Sequence, residues 1–184
     1  MLSKAASVAR STGFTLTEMM ITVAILAILT VLGLPSFRQL LQNYQVRVAA
    51  ESVANGLQRA RAEAVARNAQ VRFVLGAGTS WTVDYVTKPV PTDPPIDSRS
   101  SAEGSPNVTI VAVAADLVTA ATAITFNNLG QVTANSPASQ TLAQATFNAN
   151  ATGGNQTLRV AIGAGGNARV CDPSLPITNL RYCP

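Results

Sequence analysis

Residues 13–35 read GFTLTEMMITVAILAILTVLGLP, and the arrangement of the whole chain follows from this stretch. From Phe14 to Pro35 there is one ionisable side chain, Glu18, in 22 positions. A helix of that length rises about 33 Å, close to the thickness of a bilayer core, so the stretch is expected to span a membrane. Before it stands MLSKAASVARSTG, with Lys4 and Arg10 and no acid. The positive-inside rule keeps this end cytoplasmic and sends the remainder outward. A secretory signal peptide requires a small-residue cleavage site after the apolar run, and LGLPSFRQLL follows instead, so an ordinary signal peptide is the weaker reading.

The other 149 residues after Pro35 offer little conventional active-site chemistry. The chain of 184 residues has no histidine, which excludes Ser/His/Asp and Cys/His machinery and histidine-ligated metals. Cys171 and Cys183 alone cannot close a tetrahedral zinc site. Asp93, Asp97 and Glu103 share a proline-rich run but lack the spacing and central glycine of a calcium loop. No cofactor is expected, and no enzymatic activity. Formal charge is +4, from eleven arginines and two lysines against nine acids. That suits a local basic patch better than a coat for nucleic acid.

Glu18 is the anomaly inside the apolar run. A carboxylate near the start of a membrane helix costs a few kcal/mol and calls for a partner, or else snorkels to the headgroups. The string Gly13-Phe14-Thr15-Leu16-Thr17-Glu18 resembles the processing site of type IV prepilins, with its basic leader, terminal Gly, Phe at the new N-terminus and Glu as fifth mature residue. The resemblance implies that prepilin peptidase cuts between Gly13 and Phe14 and that Phe14 is then N-methylated. It also implies that Glu18 pairs with the Phe14 ammonium of a neighbouring subunit and sets its register. Pro35 cannot donate an intrahelical hydrogen bond, so a local melt and a simple kink both stand there.

Past Pro35, Val46, Ala49, Ala50, Val53, Leu57, Ala60 and Ala64 recur on one face of a helix. This narrow alanine-rich stripe suits close packing on a sheet. Arg47, Arg59, Arg61, Arg67 and Arg72 lie mostly off it, Arg47 four residues from Glu51, and Arg59 and Arg67 each four from Glu63. That spacing predicts a solvated, ion-paired helix face rather than a stripe for DNA or lipid.

From Val71 the period becomes two. Strands are expected at residues 71–75, 81–86, 108–113, 123–127, 131–134, 144–148, 157–162 and 168–171. Turns are signalled by Asn128-Leu129-Gly130, Gly153-Gly154-Asn155 and Gly165-Gly166-Asn167. Residues 87–107, with five prolines and no periodicity, are expected as a long surface loop. The fold class is therefore α+β, a long N-terminal helix packed on a C-terminal antiparallel β-sheet. Four segments follow: a cleaved leader at 1–13, a transmembrane and assembly helix at 14–35, its amphipathic continuation at 36–70, and a globular β domain at 71–184.

The run from AAESVANGLQRARAEAVARNAQVRFVL through SWTVDYV, ITFNNLGQVT and TLRVAIGAGGNARVC resembles the GspH/FimT/FimU group of minor pilins and pseudopilins. The resemblance implies a structural subunit. Its partners would be other major and minor pilins, prepilin peptidase, the inner-membrane assembly platform and, before assembly, membrane lipid. It would pass from the inner membrane, N-terminus cytoplasmic and C-terminal domain periplasmic, to an extracellular type IV pilus. A pseudopilin of a type II secretion system shares nearly every feature.

In DNA-uptake members of the group a G-R-x-R hairpin contacts double-stranded DNA. Here the string is Gly166-Asn167-Ala168-Arg169, so the first arginine is missing, and the site is weaker unless Arg159 or Arg181 compensates. Without the leader the side chains number eleven basic against nine acidic, which weakens the DNA reading further. In an extracytoplasmic protein Cys171 and Cys183 are expected to pair and pin the C-terminus, with two free thiols as the alternative.

Overall fold

A computed structural model describes residues 13–149 and 155–183. The basic leader with Lys4 and Arg10, and the Gly153-Gly154 turn, lie outside the described residues. The chain divides into two compact units, residues up to Phe37 and residues from Arg38 onward. The long helix α1, Leu16–Ala66, starts in the first and ends in the second, and it remains helical through Pro35.

Within the first unit the helix buries nothing. Every large apolar side chain from Phe14 to Phe37 is between 43% and 77% exposed. An uncovered apolar surface of this size is of the kind that marks a membrane or protein contact.

The second unit carries the core. All seven residues of the expected stripe are buried, together with Ser52, Ala54 and Gly56, which widen the contact face. α1 ends because Asn68 takes a left-handed conformation at φ 50. The amides of Asn68 and Ala69 then close on the carbonyls of Val65 and Ala64, at 3.3 and 3.2 Å. This is the pattern of a Schellman cap, with Asn where glycine is commoner.

Nine strands follow: β1 Val71–Leu75, β2 Trp81–Tyr85, β3 Asp97–Arg99, β4 Val108–Val113, β5 Ala123–Phe126, β6 Val132–Thr133, β7 Gln144–Ala149, β8 Thr157–Ile162 and β9 Ala168–Cys171. Two points depart from the sequence expectation. The strands form two antiparallel sheets rather than one, in the orders β3-β2-β1-β5-β6 and β4-β7-β8-β9. The split arises because β4 turns away from its predecessors and pairs with β7, Ile110 opposite Phe147. Just ahead of β7, Thr141 makes a parallel bridge to Ala123 of β5, and the Leu142 amide bonds to the Ala123 carbonyl at 2.8 Å.

The second departure is β3, which lies inside the proline-rich segment expected to be loop throughout. Its three residues pair with Trp81–Val83 at the sheet edge, and neighbouring Ile96 packs on the core. Asp-Ser-Arg has no strand periodicity of its own. The pairing comes from β2.

One apolar cluster gathers the helix stripe with the inward residues of both sheets, among them Phe73, Val83, Ile124 and Phe126 from the first and Ala145, Phe147, Leu158 and Val160 from the second. The closest approach is at Gly56. A Cβ there would stand 2.8 Å from the Phe73 ring and 3.1 Å from Trp81, whose indole N–H donates to Ser52 Oγ at 2.8 Å. Gly56→Ala gains about 1 kcal/mol of helix propensity but forces two buried rings to move, which costs about 1–3 kcal/mol. A net loss of about 1 kcal/mol is expected in denaturant unfolding of the full chain in detergent micelles. A gain in stability would show that the rings yield freely.

Candidate functional site

The N-terminal site is built on the first turn of α1. Thr15 stands just before the helix, and its hydroxyl accepts the Glu18 amide at 3.2 Å. Thr15-Leu16-Thr17-Glu18 is thus an N-capping sequence as well, T-x-x-E, a signal local enough to be visible in the sequence. A carboxylate in the first turn also suits the positive end of the helix dipole. Gly13 has open space around it and no left-handed backbone angle, so nothing in the folded chain requires a glycine there. Gly33 is equally open, and with Pro35 two residues on it leaves this part of the helix short of local stability.

The C-terminal site is a loop closed by the Cys171–Cys183 disulfide, with Cα atoms 5.2 Å apart. Both cysteines are buried. The Asp172 amide donates to the Arg181 carbonyl at 2.7 Å, and Asp172 caps the following turn through Ser174. Between this loop and α1 lies a cavity of about 350 Å³, bordered by Arg47, Glu51, Asp172 and Arg181. Arg47 is already paired with Glu51 at 3.0 Å.

Of the three arginines proposed for DNA, Arg159 and Arg169 share the outward face of the second sheet, since Arg159 lies opposite Cys171 and Arg169 opposite Ala161. Their guanidinium groups are not equivalent. Arg159 is half-buried and donates to Thr146 Oγ1 at 3.2 Å, while exposed Arg169 reaches the Tyr182 carbonyl at 3.4 Å. Arg181 borders the cavity instead of joining them.

The helix arginines are ion-paired as their spacing predicts: Arg59 with Glu63 at 3.0 Å, and Arg67 with the same carboxylate. Arg67 also donates to the Tyr85 hydroxyl at 2.6 Å and lies over its ring. The bond to Glu63 and then that to Tyr85 raise its pKa. Arg61 escapes this pattern and donates to the Gly130 carbonyl at 2.9 Å, tying the helix to the β5–β6 turn. The Asp116 carboxyl is held below the usual carboxylate range by the Thr119 hydroxyl and then the Thr119 and Val118 amides, which fix the turn after β4. No cluster of three metal-ligating side chains forms among the described residues.

Comparison with known proteins adds two family matches. Residues 8–34 match the prokaryotic N-terminal methylation motif. Residues 49–171 match the family described as type II transport protein GspH. No curated protein matches the chain. Among solved structures, two crystal forms of the type IV minor pilin FimU of Pseudomonas aeruginosa strain PAO1 are 19% identical to it. They cover 73% and 71% of this chain and 90% and 97% of their own, with TM-scores of 0.46 and 0.47. The GspH match takes in more than half of the chain, from the buried stripe of α1 to the first cysteine, and the methylation motif overlies the bare apolar start of the same helix; the chain belongs to the GspH family of pilin-like, non-enzymatic structural subunits.

Proposed function

We propose that this protein is a minor pilin, processed by prepilin peptidase between Gly13 and Phe14 and assembled through α1 into a type IV pilus. The observation that carries the reading is the coincidence of the methylation motif at residues 8–34 with a helix whose apolar side chains are uncovered on every side. Such a surface is stable in a bilayer before assembly and among neighbouring helices after it. Gly13 fits the same reading, because packing leaves its identity unexplained and a residue without Cβ lets a peptidase approach the backbone closely. The segment of residues 14–35 crosses the inner membrane with its N-terminus in the cytoplasm, and the β domain faces the periplasm. Partners are the other major and minor pilins and the assembly platform. The protein has no catalytic role of its own.

A second reading, a pseudopilin of a type II secretion system, is favoured by the description of the matching family. Fractionation separates the two. Pili sheared from the source cell are expected to contain a chain that begins at Phe14 and is one methyl group heavier than the bare sequence. Absence from pili, with loss of protein secretion on deletion, would select the pseudopilin. For double-stranded DNA, Arg169 shares its sheet face with Arg159, which is already committed to Thr146. Gel shifts with the full chain are expected to show no salt-sensitive binding that Arg169→Ala abolishes.

A further inference from the structure

The outward face of α1 changes character between Tyr44 and Arg47. Phe37, Leu40, Leu41 and Tyr44 recur at i, i+3, i+4 and i+7, which is one face of a helix, and they are between 46% and 64% exposed. The residues on the opposite side, Gln39, Gln42 and Asn43, are polar and half-buried. Asn43 shows what that side meets. Its side chain accepts the Asn155 and Gln156 amides, both at 3.3 Å, and donates to Asn155 Oδ1 at 3.2 Å. Over these two turns the helix is inside out, polar toward its own domain and apolar toward its surroundings.

Past Tyr44 the order reverses. Val46, Ala49, Ala50 and Val53 are buried against the domain, and the outward line of Phe37 and Tyr44 continues through Arg47, Glu51 and Asn55, all exposed. A helix that packs on a domain in water carries this second order along its whole length. The first order fits surroundings less polar than the edge of the domain itself, so the medium around α1 changes between Tyr44 and Arg47.

Helix length agrees with a bilayer on the apolar side of that boundary. From Leu16, where α1 starts, to Tyr44 the rise is about 43 Å, against about 40–45 Å for a bilayer with both headgroup layers. Both ends then suit their depth. Glu18, in the first turn, lies in one headgroup layer instead of the hydrocarbon, where a carboxylate is costly. Tyr44 lies at the other interface, the preferred depth of a phenol ring, and Arg38, less than two turns short of it, reaches the headgroups by extending its side chain. A boundary at Pro35 would instead leave Phe37, Leu40, Leu41 and Tyr44 in water.

We propose that, before assembly, the face formed by Phe37, Leu40, Leu41 and Tyr44 lies in the outer leaflet, and that the edge of the β domain at Asn155 and Gln156 rests on the lipid headgroups. This rests on the reading above that residues 14–35 cross the membrane, and it lengthens the lipid contact by about 13 Å of helix. The occupant is lipid because the stripe is continuous with the uncovered apolar start of α1 and ends where the helix has climbed one bilayer thickness. A polypeptide partner would have to cover a face that begins inside the bilayer.

The test uses the full chain, purified and reconstituted in vesicles of phosphatidylcholine and phosphatidylglycerol whose acyl chains carry bromine either near the headgroups or near the chain ends. Tryptophan is placed singly at Leu29, Tyr44 or Asn55, all exposed positions on α1 where substitution disturbs no packing. Trp81 is buried, and the unsubstituted chain supplies its background emission. The added emission of Tyr44→Trp is expected to fall about twofold with bromine near the headgroups, and that of Asn55→Trp, about 16 Å further along the same face, to stay unchanged. Leu29→Trp is expected to be quenched by bromine near the chain ends.

No quenching at Tyr44→Trp, or quenching at Asn55→Trp as strong as at Tyr44→Trp, would overturn the proposal. Leu29→Trp separates that failure from failure of the membrane reading. Quenching at Leu29→Trp without quenching at Tyr44→Trp keeps the crossing and rejects the longer contact, whereas no quenching at Leu29→Trp rejects both.

Discussion

Replacing Glu18 with alanine is expected to leave cleavage after Gly13 intact while removing the protein from filaments. Two roles of Glu18 separate in this variant. Its backbone amide is the group capped by Thr15, at 3.2 Å, and alanine keeps that bond, so the start of α1 and its presentation to the peptidase survive. What alanine removes is the carboxylate, the one charge in the apolar stretch of residues 14–35. If that charge pairs with the Phe14 ammonium of the adjoining subunit, deleting one partner strands the other in a low-dielectric environment at a cost of about 3 kcal/mol, or about a hundredfold in incorporation. The readout is the ratio of mature protein in sheared filaments to mature protein in membranes, with mass spectrometry confirming the Phe14 terminus. Wild-type incorporation would leave capping and the helix dipole as the whole role of Glu18.

Opening the Cys171–Cys183 bond is expected to give the largest loss of stability in the β domain. The bond closes a loop of about 13 residues, which in the chain-entropy model contributes about 3 kcal/mol. Few other ties hold the loop: the Asp172 to Arg181 bond at 2.7 Å, the bridge from Asp172 to Tyr182, and the long contact from Arg169 to the Tyr182 carbonyl. Leu180 is 98% exposed, so the loop has little apolar burial to fall back on. The double variant Cys171→Ser, Cys183→Ser is therefore expected to unfold at lower denaturant and to be nicked by protease within residues 172–183 before the sheets are cut. Unchanged unfolding and unchanged proteolysis would show that the backbone bonds suffice without the bridge.

Much of the fold was legible because its signals are local. The stripe from Val46 to Ala64 appears in full in the buried face of α1, and four strands, β1, β4, β8 and β9, begin and end where the alternation does. The N-cap at Thr15 and the C-cap at Asn68 are also local and were readable, although neither was drawn from the sequence. Less visible was anything that depends on which strand finds which. β3 has no pattern of its own and exists through β2. Gly56 looks like a defect in a helix until Phe73 and Trp81 are brought within 2.8 and 3.1 Å of the space a Cβ would fill. The arginine candidates were identified by residue type, but only their partners separate Arg159, which is held by Thr146, from Arg169 and Arg181.

The sequence alone determined that a helix with an apolar start long enough to cross a membrane continues into a β domain, because hydrophobic length and period are properties of consecutive residues. The processing motif is equally local, with Gly13, Phe14 and Glu18 in fixed spacing, whereas membership of the GspH family rests on residues 49–171. Only the tertiary structure decided that the strands divide into two sheets and that β4 lies at the border of the second. The alternating run at 108–113 reads the same whether it lies at the centre of a sheet or on its border. Which of the two it becomes is fixed by distant segments, β7 on one side and residues 119–121 on the other.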